Sequence, residues 1–175
     1  MKREKKIELD FVVDRLTDSI LNTISGDSFP TEISRLTQTD IKQITKNNKW
    51  NFNWKQELDS NSKEVYKLTI VNNPTIIQGL LSFTIKPDHL YMNLLESAPF
   101  NLGSNKLYEG VPGNLVAYAC KVSFQNGFEG FVSFTAKTQL IEHYKKTLGT
   151  YHFGNHLMII QTQVAQQLVD KYFKS

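Results

Sequence analysis

The sequence predicts an α+β domain: a central mixed, mostly antiparallel sheet with splayed central strands, flanked by helices and closed by a C-terminal helix. Residues 65–71, 75–85 and 89–95 are three apolar runs separated by Asn72-Asn73-Pro74 and Lys86-Pro87-Asp88, turn compositions that make an antiparallel meander. From Leu95 to Gly149 the pattern then runs strand, glycine-bearing loop, helix, strand, Tyr-bearing helix. A chain of 175 residues forms one domain with a sizeable core.

In chain order, residues 7–13 and 31–36 are each rich enough in apolar and β-branched residues to be a strand. Residues 18–24 fit two readings. Ile20, Leu21 and Ile24 share a helical face, and the same stretch serves equally as a hairpin arm through Ser25-Gly26-Asp27. Thr39-Asp40 before Ile41 and Ile44 has the form of a capped, short helix stopping near Asn47-Asn48. Trp50, Phe52 and Trp54 alternate with asparagines, which places the three rings on one side of an extended segment, with core packing favoured over base stacking. Residues 59–62 read as a turn.

The run 89–95 is nearly continuous in apolar content and therefore central in the sheet. Pro99 cannot donate to a ladder, so pairing is expected to lapse after Glu96, Ser97 and Ala98. Leu115, Ala119 and Val122 set a helix that Gly127 stops, with Gly110 and Gly113 just before it. Residues 128–136 form the next strand. Thr138 then caps a helix whose apolar face is Leu140, Ile141, Tyr144 and Leu148, and Gly149 closes it above Lys145 and Lys146. Residues 152–160 give one or two strands broken at Gly154-Asn155. A final helix over 162–173 carries the stripe Val164, Ala165, Leu168, Val169 and Tyr172, expected to pack within the monomer.

Composition excludes several classes. Cys120 is the only cysteine, so there is neither an intramolecular disulfide nor a multi-cysteine metal site, and a reducing compartment follows. No stretch has the length of a membrane span or the apolar block of a secretory signal; the expectation is a soluble, cytoplasmic protein. The net charge of +3 is spread out apart from Lys2, Arg3, Lys5 and Lys6, which gives little support for a polyanionic partner. His152 and His156 are interrupted by Gly154 and Asn155 and lack a third ligand, so no zinc site is expected. Cys120 reads as a small core residue.

The residues from about 75 to 160, roughly half the chain, resemble the GNAT superfamily of N-acetyltransferases. The likeness rests on a strand ending before Pro99, on Leu107-Tyr-Glu-Gly110-Val-Pro112 with Gly113 directly after, and on the Tyr144 helix closed by Gly149. Leu107 stands where the family has a basic or amide residue, and Pro112 where it has a small one. The resemblance implies an acetyl-CoA-binding core over 75–160, a variable part over 1–60 and acetyl-CoA as co-substrate, with no metal. Its pyrophosphate would lie on the main chain of Gly110, Val111, Gly113, Asn114 and Leu115, with Lys106 supplying charge, because amides at a helix N-terminus attract anions.

The implied reaction is attack of an amine on the thioester. Glu96 would be the base, amides near Ser97 and Ala98 would hold the carbonyl, Tyr144 would donate to the departing thiolate, and Lys137 would bond the pantetheine arm. Bland readings stand beside these: a strand-end ion pair or cap for Glu96, ordinary packing for Tyr144, a solvated Lys137. The implied function is N-acetyl transfer to a primary amine, on a small molecule or peptide, by a monomer or homodimer. A GNAT-fold protein that binds CoA or a partner without turnover is the alternative, and nucleic-acid binding ranks below both.

Overall fold

The computed structural model describes residues 6–17 and 19–173. The basic positions Lys2, Arg3 and Lys5, and Asp18, lie outside the described residues. The strands are β1 (Ile20–Asn22), β2 (Ser28–Phe29), β3 (Thr31–Arg35), β4 (Glu64–Ile70), β5 (Gly79–Ile85), β6 (Leu90–Ser97), β7 (Tyr108–Glu109), β8 (Val132–Thr135), β9 (Tyr151–Gly154) and β10 (Leu157–Ile160). The helices are α1 (Trp54–Asp59), α2 (Val111–Gln125), α3 (Ile141–Leu148) and α4 (Thr162–Tyr172).

Seven strands make the main sheet in the order β3-β4-β5-β6-β8-β10-β9. β3 to β6 is the expected antiparallel meander, and β6 pairs with β8 in parallel. That pair is short: Leu90 partners Val132 and Tyr91 partners Ser133, after which the strands separate. A sheet covered on both faces needs apolar residues throughout, and Leu80, Leu81, Phe83, Leu90 and Met92 are fully buried. A small second sheet pairs β1 with β2 and β7, so residues 20–29 form the hairpin rather than the helix.

Phe83 partners Met92 while Ser82 partners Leu94, which leaves Asn93 as the extra residue of a β-bulge. The bulge has a consequence for chemistry. Tyr91 and Glu96 are five apart, and strict alternation would send them to opposite faces. The added residue brings both toward the α1 side, where Glu96 meets Trp54 and Tyr91 shares a cavity with Phe52 and Gln56.

Several boundaries differ from expectation. Residues 50–54 are not a strand: Asn53 accepts from the Gln56 N–H at 3.1 Å and caps α1, while Trp50 and Trp54 do enter the core. The Thr39-Asp40 helix is only a 3-10 turn over Asp40–Gln43, and the capping exchange is between Thr37 and Asp40. β5 begins at Gly79, four residues late, and β8 at Val132, because residues 127–131 turn through Gly127 and Gly130. α2 begins at Val111 instead of Leu115; Pro112 fits its first turn, where no N–H is needed. Thr138 makes no cap, since a 3-10 turn at Thr138–Leu140 leads into α3. The C-terminal stripe is buried in the same chain, with Ala165 and Leu168 in the core.

Candidate functional site

The loop before α2 turns on Gly110, whose φ of 93° lies in the left-handed region that favours glycine. The N–H groups ahead of Asn114 lack partners within the helix, and the first intrahelical bond runs from the Asn114 N–H to the Gly110 carbonyl at 3.1 Å. Beneath them Gly79 of β5 permits close approach: a Cβ there would meet Val111 Cγ1 at 2.7 Å. The helix N-terminus is thereby held beside the end of β6. Val111, Asn114 and Leu115 are all buried at this junction.

The gap between β6 and β8 is not empty. Residues 7–13, expected to be a strand, form an extended segment with one parallel bridge, Leu9 to Ala136. The Leu9 N–H donates to the Thr135 carbonyl at 2.7 Å, and the Lys137 N–H donates to the Leu9 carbonyl at 3.0 Å. Because the Ala136 N–H points the other way, to His156 of the β10 hairpin, these bonds lie on the β8 edge that faces β6. Leu9, Phe11 and Val13 alternate into the core.

The segment continues along the site. Tyr144 Oη donates to the Phe11 carbonyl at 2.6 Å, and the Val13 N–H donates to His143 Nε2 at 2.9 Å. Burial lowers the His143 pKa, which favours the neutral ring that can accept this bond. At the α2 end, Asp14 Oδ1 accepts from the Gly110 N–H at 3.2 Å and Asp14 Oδ2 pairs with Lys106 at 3.2 Å. The Thr17 N–H donates to the Tyr172 hydroxyl at 2.9 Å. Leu16 and Tyr172 lie against Gly113.

Glu96 is 5% exposed, and its carboxylate accepts from the Asn51 N–H at 2.7 Å and from Trp54 Nε1 at 2.8 Å. Desolvation raises its pKa, against the lowering effect of those bonds. Tyr144 is fully buried between Phe11 and Phe134, with ring centroids at 4.7 and 5.2 Å, and burial lifts its pKa so that it stays a proton donor. Burial is the main cause in both cases, and the charge of Asp10 adds a smaller push in the same direction. Lys137 is exposed, and its ammonium pairs at the surface with Asp10 at 2.9 Å.

The expected lapse in pairing lies elsewhere. On the β5 side the ladder runs to Ser97, and the Ala98 N–H donates to the Gln78 carbonyl at 2.9 Å. The pairing is lost on the β8 side beyond Tyr91. Ala98 therefore has no free amide for a carbonyl. Cys120 is buried with a thiol pushed up in pKa, so it is a core residue. His152 lies in β9 and His156 in the turn before β10, not on a helix.

Sequence reading missed Asp14, His143 and Tyr172, because each matters only through partners more than 90 residues away. It also missed Glu57, which looks like an ordinary helix-surface residue. Glu57 is 3% exposed; one oxygen pairs with Lys63 at 3.0 Å and Oε1 has no hydrogen-bond partner among the described residues. It lines a cavity of about 1030 Å³ with Phe52, Gln56, Tyr91, Asn93 and Lys137, next to the gap. Among the described residues no helix is long and apolar enough to cross a membrane.

No family model matches the sequence, and no curated protein matches it by sequence. Solved structures do match. The spermidine N-acetyltransferase from Vibrio cholerae in complex with CoA and spermine aligns with a TM-score of 0.55 at 12% identity, over 78% of this chain and 98% of that one. The ribosomal-protein-S18-alanine N-acetyltransferase from Escherichia coli aligns at 0.51 and 12% identity, over 74% and 90%. A mutant of the toxin AtaT, bound to the C-terminus of the antitoxin AtaR, aligns at 0.57 and 15% identity, over 83% and 99%. These likenesses establish the fold of this chain as that of the GNAT N-acetyltransferases.

Proposed function

We propose that this GNAT-fold chain is an acetyl-CoA-dependent N-acetyltransferase acting on a primary amine. The observation that carries the reading is the parting of β6 and β8 beside a helix N-terminus at one end and a buried Tyr144 at the other. In this reading the cofactor diphosphate takes the amides at Gly110, Val111 and Gly113 together with Lys106, not those expected at Asn114 and Leu115, because the Asn114 N–H already donates to the Gly110 carbonyl at 3.1 Å and the intrahelical bonds begin there; the pantetheine arm lies along the edge of β8 near Lys137. The edge of β6 near Glu96 to Ser97 would face the thioester. The structure of the Vibrio cholerae enzyme with CoA and spermine supports both the cofactor and an amine as acceptor.

The acceptor amine would enter through the cavity at Glu57 and Tyr91 and lose its proton toward Glu96, directly or through water, a task that a carboxylate of raised pKa performs better than an ordinary one. Tyr144 would protonate the leaving thiolate. Its present bond to the Phe11 carbonyl has the same donor sense. The protein would work as a monomer or homodimer.

A second reading keeps the CoA or partner site without turnover. It is favoured by the filling of the gap by residues 8–17 and by the two donors that already hold Glu96. The test is thiol release from acetyl-CoA across a panel of primary amines, with Tyr144→Phe and Glu96→Gln as controls. Release that depends on an amine and falls in both variants upholds the enzyme. Tight CoA binding with no release for any amine upholds the second reading.

A further inference from the structure

We propose that the gap between β6 and β8 is a docking groove for an extended acidic peptide, that its occupant is residues 8–17 of this same chain, and that this peptide and the diphosphate of CoA exclude one another. The exclusion rests on the reading of the cleft as a CoA site; the docking rests on the contacts alone.

The docked segment is recognised in three ways. Main-chain bonds join Leu9 to the β8 edge through Thr135 and Lys137, which is strand addition to an open sheet edge. Side chains of α3 read the backbone that follows, Tyr144 at the Phe11 carbonyl and His143 at the Val13 N–H. An acid then meets the helix: the Asp14 carboxylate takes the Gly110 N–H with one oxygen and the Lys106 ammonium with the other. A carboxylate at a helix N-terminus beside a lysine satisfies the donors that a phosphate would use.

Competition follows from these shared partners. The Gly110 N–H cannot serve Asp14 and a diphosphate at once, the Asp14 carboxylate beside Lys106 would repel a diphosphate drawn to the same ammonium, and Tyr144 cannot donate to Phe11 and to a thiolate at once. Leu16 and Thr17 also pack against Gly113 and Gly110, so the segment lies against the start of α2. Arg15, exposed within the segment, offers a reporter of docking, because a protease needs its backbone released.

The experiment uses the full chain. Binding of CoA is measured by calorimetry for the wild type, Asp14→Asn and Phe11→Ala, and trypsin cleavage after Arg15 is timed with and without saturating CoA. Asp14→Asn weakens the segment at the anion end and Phe11→Ala at the buried end, so either variant alone keeps the test valid if the other fails to fold. The expected result is CoA binding about tenfold tighter in the folded variants, from loss of a charged competitor or of its anchor, and Arg15 cleavage at least about tenfold faster with CoA present. CoA binding of equal or lower affinity in the variants, or CoA bound with Arg15 cleavage unchanged, overturns the inference and leaves the acetyl-transfer reading standing. Absence of CoA binding in the wild type and both variants overturns both.

Discussion

Glu96 and Tyr144 divide the work of the site by what surrounds each side chain. Tyr144→Phe keeps the ring between Phe11 and Phe134 and removes the hydroxyl, with its short bond to the Phe11 carbonyl and its longer one to the Leu9 carbonyl. The expected loss of stability is about 1 kcal/mol, while loss of a general acid lowers kcat by roughly 10²-fold or more; urea melts and steady-state rates check the two separately. Glu96 faces two donors, Asn51 N–H and Trp54 Nε1, and an amide would turn its own NH2 toward one of them. Glu96→Gln is expected to destabilise the fold by about 1–3 kcal/mol at acid pH, where the charge is not at issue. The pH dependence has a definite sign. Because burial raises the folded pKa of Glu96, the folded state binds its proton more tightly, and stability is lost as pH rises from the ordinary carboxylate range through that raised value. The Gln variant lacks this component, so the gap between the two stability curves narrows with rising pH in that window.

Among the elements, the loop and first turn of α2 were only half legible. Pro112-Gly113 looks like loop by composition, yet proline belongs in a first helical turn, and the start at Val111 follows from that alone. Gly110, marked in the sequence only as a glycine before the helix, has a left-handed φ, and a Cβ there would also strike the Thr17 side chain and the Ser19 carbonyl. Gly110→Ala is expected to destabilise by about 1–2 kcal/mol or more from the backbone term, visible as a lower urea midpoint at unchanged m. The N-terminal segment shows the limit of local reading. Its alternation of Leu9, Phe11 and Val13 was visible, but its partner at Thr135 is more than 120 residues away, and no period encodes that. Only three side chains of the ten-residue segment are anchored in the core, while every residue of it must be ordered, so docking of the segment is expected to be reversible. Hydrogen exchange at the Leu9 amide should therefore be faster than at the central strand amides of β5.

For the whole molecule, the meander, the β6-to-α3 succession and the C-terminal helix were readable because each rests on a local period and its punctuation. The splaying of the central strands came with the family resemblance, whereas the seven-stranded order came only with the structure, and the structural likenesses carry the same fold. What could not be read is convergence. The bulge at Asn93 that turns Glu96 to the side of Trp54, the buried Glu57 and the acid of Asp14 at the helix end all depend on the assembled fold. The central claim is that the opening between β6 and β8 receives acetyl-CoA. A crystal structure of the full chain grown with CoA tests it most directly. The account predicts a diphosphate on the amides at Gly110, Val111 and Gly113 and the cofactor sulfur within hydrogen-bond distance of Tyr144 Oη; CoA bound elsewhere on the molecule, with Tyr144 still donating to Phe11, would contradict it.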